Sequence, residues 1–592
     1  MKQGLGIGSL NLKSQSPAPL MTNYEIAAVF ERVADLLEFQ GANPFRVRAY
    51  RNAARTIHDL SESAADIVTD PERSLTQIAG IGKDLAEKVA TLAHTGSLPM
   101  LDELLAQTPE SVLAILRVPG LGPKRAAQLY QQLKVATLDD LRAACEAHKI
   151  QEMKGFGAKT EAVILQGLEI ASEAGRRILW IEADEHVREI LAHMHGCPAV
   201  EEIAAAGSYR RGKETVGDLD FLVVTGKVNV VTDHLAKFDR VASILARGDT
   251  KMSLRLSPGI QVDLRAVAAK SFGAALQYFT GSKEHNIVLR GRAKARGLKI
   301  NEYGVFRGEK FLVGRTEEDV YATLDLPCFP PELREARREF EWADAGALPK
   351  LVEAGDIRGD LHMHSTWTDG QASIEEMAAA AKKRGLKYVA ITDHSKRVTM
   401  VGGLDARRLR QQWAEIDKLN ARLSGITVLK GIEVDILERG GLDLSDDVLA
   451  EADWVVASVH YGHQQSREQI TRRAVEALAN PHVAALAHPT GRLLLERKPY
   501  QIDMEAVMEA ARDHGKLLEL NAHPSRLDLD DVACAAAKSY GIPIVISTDS
   551  HRPEGLEAMR CGVQQARRGG LTKADVANTR TWPQLKKLLR KA

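Results

Sequence analysis

"GSYRRGKETVGDLDFLVV", residues 207–224, joins a glycine-flanked loop bearing two arginines to a strand-like run that opens with Asp218-Leu219-Asp220. Side chains alternate faces along a strand, so Asp218 and Asp220 point the same way. Two carboxylates side by side repel each other unless a cation holds them. Oxygen ligands suit Mg²⁺ or Mn²⁺. A third carboxylate, Asp263, lies on another strand-like run, "IQVDLRAV" (260–267). Three carboxylates can bind two metals, one activating a hydroxyl nucleophile and both stabilising an in-line phosphoryl transfer. The loop before them offers amides, a hydroxyl and guanidinium groups for a triphosphate. Asp-x-Asp alone fits a salt-bridged surface hairpin. Gly-Ser, Arg-Arg-Gly and the third aspartate turn the reading toward a metal site.

The chain around this stretch has 592 residues, too many for one core, and three to five domains are expected. It is 44% hydrophobic and 27% charged, with a formal net charge of zero. Nucleic acid would therefore be met by local patches or backbone amides, not by an overall basic field. No apolar run reaches the roughly 18 residues of a membrane span. The opening residues 1–22 lack the apolar region of a signal peptide and read as a disordered extension, with Met21 an alternative start. Cys145, Cys197, Cys328, Cys534 and Cys561 are scattered and form no Cys-x-x-Cys pair. A cytoplasmic setting without a disulfide framework is expected, and a monomer, because no coiled-coil pattern is evident.

Residues 23–175 read as short helices cut by glycine turns. "IAGIGKDLAEKV" (78–89), "VPGLGPKRAAQL" (118–129) and "MKGFGAKTEAVIL" (153–165) repeat one theme, an apolar-x-Gly-apolar-Gly turn with a lysine, then an amphipathic helix. Glycines permit the turn and leave amides unscreened at a helix N-terminus, where a phosphate can sit. The theme resembles the helix-hairpin-helix motif of DNA repair proteins. That resemblance implies DNA-backbone contacts at Gly80, Gly82 and Lys83 and at Gly120, Gly122 and Lys124.

The Asp-x-Asp arrangement resembles the nucleotidyltransferase superfamily and, within it, the family X DNA polymerases. "YFTGSKEHNIVLR" (278–290) is similar to their nucleotide pocket. The resemblance implies that Asp218 and Asp220 bind both metals and that Asp263 binds the catalytic one near the primer 3′-hydroxyl. Ser208, Arg211 and the amide of Gly217 would hold the triphosphate. Tyr278, Phe279 and Gly281 would press on the sugar and select deoxyribose, and Asn286 and Arg290 would touch the minor-groove side of the nascent pair and template. Val216 and Gln261 depart from the family, standing where a phosphate-binding serine and an arginine near the primer terminus are common. "NPFRVRAYRNAA" (43–54) resembles part of the family's small DNA-end-binding domain, with Arg46 and Arg48 suited to a 5′-phosphate. Lys88 falls where eukaryotic members carry the Schiff-base lysine of a sugar-phosphate lyase, among basic residues that differ from the lyase pattern.

From residue 357 short apolar strands alternate with amphipathic helices, and polar residues recur at the strand ends, which reads as an α/β barrel with its site on that face. "DLHMHSTWTDG" (360–370) supplies His362, His364 and Asp369. His394, Glu433, His460, His488, Asp549 and His551 follow in later strand-like runs. A lone histidine would be an ordinary core residue. Nine such ligands could hold about three ions, and this many imidazoles favour Mn²⁺, Zn²⁺ or Fe²⁺ over Mg²⁺. Their chemistry would be metal-assisted phosphoester hydrolysis. The motifs resemble the PHP (polymerase and histidinol phosphatase) domain with all nine positions filled. His523 and Arg526 are further candidate phosphate contacts, while His463 and His482 read as surface residues.

The expected fold is multidomain. It comprises an extension 1–22, a DNA-end-binding helical domain 23–100, a second helix-hairpin-helix domain 101–175, and an α+β palm 176–265. A nucleotide-selecting thumb 266–335, a linker 336–356 and the PHP barrel 357–592 complete it. The proline spacing of "LDLPCFPPELRE" (324–335) excludes helix before Glu332. The leading expectation is a repair polymerase that uses deoxynucleoside triphosphates to fill gapped or nicked DNA. Its PHP domain would be a 3′→5′ exonuclease, with abasic-site endonuclease or 3′-phosphatase action as further options. A histidinol-phosphate-type phosphatase would explain only the residues from 357 onward. A DNA-end-binding scaffold with an inactive polymerase is opposed by the intact aspartates.

Overall fold

The computed structural model describes residues 21, 23–58, 64–70, 73–78, 80–109, 111–116, 118, 121–174, 177–257 and 259–589. Residues 1–20 and 22 of the expected extension, and Gly120 of the second glycine turn, lie outside the described residues. The chain divides into two compact units, Met1–Leu113 with Pro123–Gln128, and Ala114–Gly122 with Leu129–Ala592. Among the described residues no helix is long and apolar enough to cross a membrane.

The first unit is helical. Helices Asn23–Phe39 and Pro44–His58 bury Phe30, Val33 and Leu37 of one and Tyr50, Ala53 and Ile57 of the other, with the Phe30 and Tyr50 rings 5.6 Å apart. Helix Lys83–Thr95 starts directly after Gly82 and stops at Gly96, whose left-handed backbone lets its amide close onto Leu92.

The second unit holds helices Leu138–Glu146 and Ala158–Ala174, the palm, the thumb and the barrel. The palm is a five-stranded sheet in the order Glu202–Ala205, Asp218–Val224, Gln261–Val267, Lys251–Leu256, Val241–Arg247. Strand Asp218–Val224 runs parallel to Gln261–Val267, and the other pairs are antiparallel. Leu219, Phe221 and Val223 share a core with Ala183, Val187 and Ile190 of helix Trp180–His195. Leu222 and Val224, of opposite parity, pack on Phe272 and Ala275. Asp218 and Asp220 share the parity of Leu222 and Val224, so the period of two sends both carboxylates to the thumb side of the sheet.

The thumb comprises helices Phe272–Thr280 and Lys283–Ala295, a three-stranded antiparallel sheet and helix Glu317–Ala322. At its centre His285 is fully buried, with Nδ1 2.9 Å from Glu339 and Nε2 2.9 Å from the Tyr321 hydroxyl. Within the stretch expected as a linker, helix Glu339–Asp344 contributes buried Glu339 and Phe340 to this core. The proline-rich closure carries a single 3₁₀ turn, Pro331–Leu333.

Seven parallel strands form the barrel in sequence order: Gly359–Asp360, Tyr388–Ile391, Thr427–Asp435, Trp454–Ser458, Ala485–Leu486, Leu517–Asn521 and Ile544–Ser547. The first and last strands are closed by a parallel bridge between Met363 and Ser550. They are also joined by Asn578, whose amide donates to both Gly359 and Ile546 carbonyls at 2.7 Å. Alternation fills the interior in layers. Leu361, Tyr388, Leu429, Trp454, Leu517 and Val545 make an apolar floor, capped by Leu585 of helix Trp582–Leu589. Two and four residues further along come Glu433, Ser458, Glu519 and Asn521 on their strands and Asp549 just past the end of the last one. The apolar floor thus gives way to a polar top at the C-terminal ends.

Candidate active sites

The palm brings its three aspartates together through register. Asp220 pairs with Asp263 across adjacent parallel strands and Asp218 pairs with Gln261. Asp218 is exposed, Asp220 half-buried and Asp263 buried. Burial first, then the charges of Asp218 and Asp263, push the Asp220 carboxyl up to about 7. Burial acts on Asp263 in the same sense, but hydrogen bonds from Ser253, Lys251 and Gln261 hold it below the ordinary range. Lys251 Nζ lies 3.0 Å from Asp263 Oδ2, and Gln261 Nε2 donates to Oδ1 at 3.2 Å. An aspartate cluster that is partly protonated when empty is one that a divalent cation would ionise and hold.

The phosphate-type loop lies directly over Asp220. A methyl added at Gly207, already at φ +65°, would fall 2.6 Å from Asp220 Oδ2, so only glycine permits this approach. Ser208 is half-buried and its carbonyl accepts from the Lys213 amide at 3.1 Å. Arg210 forks onto Glu317 at 2.9 and 2.6 Å, a structural pairing. Arg211 donates from Nε to Glu335 at 3.1 Å and from Nη1 to the Thr280 carbonyl at 2.5 Å. Gly217 links the core residue Val216 to Asp218. Val216 pairs with Ile178 and is fully buried, so the valine at the expected serine position serves the palm core.

Tyr278 and Phe279 meet edge to face at 5.2 Å, and the Arg265 guanidinium lies 4.6 Å over Phe279. Gly281, at φ +69°, ends their helix beside Arg211. The Asn286 amide is buried and engaged, accepting from Gln277 at 2.7 Å and donating to the Tyr278 carbonyl at 2.8 Å. Arg290 is exposed and donates to the Asn286 carbonyl at 3.2 Å.

In the first unit, Gly80, Gly82 and Lys83 are exposed around buried Ile81. Gly82 caps its helix with no side-chain hydrogen bond, which leaves the first amides open. Gly122 likewise lends no side-chain cap to helix Pro123–Leu133, whose first residue has no N–H, so the open amides there begin at exposed Lys124. Arg46 and Arg48 are exposed on helix Pro44–His58. Lys88 Nζ is engaged by Asp84, one turn earlier.

All nine ligands expected of the barrel converge at its top. Donor atoms of His364, Asp369, His394 and His551 lie within 4.8 Å of one another, as do those of His362, His364 and Asp549, and those of His394, Glu433 and His460. The groups share His364 and His394, so they form one continuous cluster. His488 joins through Nε2, 3.1 Å from Glu433 Oε1. His362 Nε2, His364 Nδ1, Glu433 Oε2 and His488 Nδ1 are buried without a hydrogen-bond partner, a donor set that could hold cations. Burial opposes ionisation of Glu433, yet His460, His394 and His362 hold it well below the carboxylate range. His488 (φ +27°) and Asp549 (φ +54°) take left-handed backbone that non-glycine residues seldom adopt, strain of about 1–3 kcal/mol each that a functional site can retain.

The residues that hydrogen-bond these candidate ligands were not among the sequence candidates. Glu519 Oε1 lies 2.7 Å from His362 Nδ1, and its Oε2 accepts from the His488 amide at 2.7 Å. Asp435 accepts from the His460 amide at 3.2 Å and faces its Nδ1 at 3.3 Å. Asn521 donates to Asp549 at 3.0 Å. Each sits two residues from another inward-facing polar residue, so period-two alternation was the available signal. Arg526 Nε is 3.7 Å from Asp549, and His523 Nδ1 is 2.8 Å from Ser525 Oγ. His463 and His482, expected on the surface, are half-buried. His463 stacks on Tyr500, with ring centroids 5.5 Å apart.

Comparison with known proteins matches five family models along the chain. They are a helix-hairpin-helix domain (21–98), a SAM-like helix-hairpin-helix tandem (112–169), the DNA polymerase beta palm (177–257), the DNA polymerase beta thumb (275–335) and the PHP domain (360–523). A DNA polymerase/3′-5′ exonuclease PolX of Bacillus subtilis is 40% identical over 576 residues, covering 96% of this chain and all of that protein. A probable phosphatase of Thermoanaerobacter is 29% identical over 232 residues, 37% of this chain and 89% of that protein. One from Acetivibrio thermocellus is 32% identical over 203 residues. The phosphatases match only about a third of the chain, whereas the Bacillus relative matches 96% of it, and the chain belongs to the PolX family, the family X DNA polymerases that carry a C-terminal PHP domain.

Proposed function

We propose that the protein fills short gaps in DNA by nucleotidyl transfer in the palm and trims 3′ ends by phosphodiester hydrolysis in the PHP barrel. The polymerase reading is carried by the Asp220–Asp263 register with the glycine loop closed over it. Bound divalent cations, Mg²⁺ or Mn²⁺ in the palm and about three of Mn²⁺, Zn²⁺ or Fe²⁺ in the barrel, supply acidity toward a hydroxyl or water and neutralise phosphate charge. Asp218, Asp220 and Asp263 are the palm ligands, with Asp263 oriented by Lys251, Ser253 and Gln261. Ser208, Arg211 and the Gly217 amide take the triphosphate. Tyr278, Phe279 and Gly281 leave no room for a 2′-hydroxyl, and the open amides after Gly82 and Gly122 take backbone phosphates of the gapped duplex. In the barrel the nine residues are the ligands, and Glu519 and Asp435 fix the tautomers of His362 and His460 among them. His523 and Arg526 take the scissile or neighbouring phosphate.

The test is a one-nucleotide-gapped, 5′-labelled primer with Mn²⁺. Extension with deoxynucleotides and shortening without them support both activities. The relatives described as probable phosphatases favour a second reading for the barrel, hydrolysis of phosphomonoesters. Release of phosphate from a 3′-phosphorylated primer or from histidinol phosphate, without primer shortening, would select it.

A further inference from the structure

The nucleotide loop is not held by the palm alone. Helix Met559–Arg568, which follows the ligands Asp549 and His551 in the barrel, lies against its outer side. The Arg568 side chain is 2% exposed. Its Nη1 donates to the Arg211 carbonyl at 2.8 Å and to Glu335 Oε1 at 3.0 Å, and its Nη2 donates to Asp531 at 2.6 Å. Glu335 Oε1 also accepts from Arg211 Nε at 3.1 Å. The barrel arginine thus fixes both the backbone and, through Glu335, the side chain of the arginine that faces the nucleotide.

The neighbouring loop residues are gripped from the same side. A methyl at Gly212 would fall 2.3 Å from Gln564 Nε2, so the barrel helix packs directly on that backbone. Glu214 accepts a fork from Arg492 at 3.2 and 2.7 Å and a third bond from Gln565 at 3.2 Å. The Tyr209 hydroxyl donates to Asp184 at 2.7 Å, and Asp184 accepts from Arg560 at 2.6 Å. Residues 209, 211, 212 and 214 are therefore all tied, directly or through one carboxylate, to the barrel. Buried ion pairs add little net stability compared with apolar packing, but they fix geometry. A loop with left-handed glycines at both 207 and 212 has backbone freedom that such ties remove.

We propose that helix Met559–Arg568 of the PHP domain is a structural part of the polymerase nucleotide site, with Arg568 a positioning residue that sets the loop 207–214 for triphosphate binding. This rests on the reading of that loop as the triphosphate site. Nucleotide affinity in the palm then depends on a residue of the hydrolytic domain that touches neither substrate.

The test uses the full chain on one-nucleotide-gapped DNA with Mn²⁺, measuring kcat and KM for the incoming deoxynucleotide and, without nucleotides, the rate of 3′ shortening. Arg568→Met raises KM about tenfold with kcat within about twofold and shortening unchanged, as expected when a binding loop loses its alignment. Arg568→Lys recovers part of the affinity, which a merely volume-filling role would not give. Glu214→Gln, a half-exposed change on the palm side, raises KM about threefold in the same manner. Unchanged KM in a folded Arg568→Met protein overturns the proposal while the polymerase reading stands. If Arg568→Met does not fold, Glu214→Gln decides, and a wild-type KM there overturns it. A wild-type protein that incorporates no nucleotide overturns the underlying reading and the proposal with it.

Discussion

Glu519 gives the sharpest prediction, because it is a buried carboxylate that takes no place among the nine expected ligands. Its two oxygens face three donors, His362 Nδ1 at 2.7 Å from Oε1 and, at Oε2, the His488 amide at 2.7 Å and Asn521 Nδ2 at 3.3 Å. Glu519→Gln keeps the shape but replaces one acceptor with an NH₂ group, so one donor must face another donor. A buried donor left without a partner costs about 1–3 kcal/mol, or about 5- to 150-fold in an equilibrium. Loss of a carboxylate that orients a metal-binding histidine typically costs 10–100-fold in metal affinity or activity. The two estimates agree on about one to two orders of magnitude in 3′ shortening, with the Mn²⁺ concentration for half-activity rising by a similar factor. The assay is a Mn²⁺ titration of primer shortening, with gap extension on the same preparation as control. Shortening with the wild-type Mn²⁺ dependence would refute the argument, because His362 would then need no fixed tautomer. Loss of extension as well would point to misfolding instead of a local effect.

Two further predictions concern groups whose burial sets their behaviour. Asp220 is raised to about 7 by burial and by its two aspartate neighbours, so in the metal-free protein it takes up a proton on folding between about pH 4 and pH 7, and its contribution to stability falls as pH rises through that window. Asp220→Asn should therefore raise the melting temperature in chelator at pH 8 and by less at pH 5. An equal increment at both pH values would contradict the assignment. Arg334 is a fully buried cation paired with Glu317. Arg334→Met should lower stability to denaturant by about 3–5 kcal/mol, because Glu317 loses one of its two arginines in the interior. The double change Arg334→Met with Glu317→Leu should cost less than the two single changes summed. A strictly additive pair would show that the charges are not coupled.

What the sequence made legible was whatever a local period carries. Asp218 and Asp220 share a face because strands alternate, and the barrel candidates stand out because most of them interrupt an apolar run at or near a strand end, Asp369 following in a turn. Glu519 and Asp435 obey the same alternation, but a carboxylate that hydrogen-bonds a histidine from 157 residues away looks like any other acid on a strand. Helix Glu339–Asp344 reads as a charged linker, and only the buried His285 that Glu339 meets 54 residues back makes it part of the thumb. The grip of the barrel on the nucleotide loop has no sequence signature at all. Arg492 and Glu214 are 278 residues apart, and their pairing exists only once both domains are folded. His463 reads as a surface residue for the same reason, since its stacking partner Tyr500 comes from a distant loop.

The measurement that tests the account most directly is a cross of two variants on one gapped, labelled primer. Asp218→Ala and His362→Ala are compared with the unaltered chain in Mn²⁺, with and without deoxynucleotides. The account predicts that Asp218→Ala abolishes extension and leaves shortening, while His362→Ala abolishes shortening and leaves extension. Extension that survives Asp218→Ala, or shortening that survives His362→Ala, would contradict the assignment of the two sites.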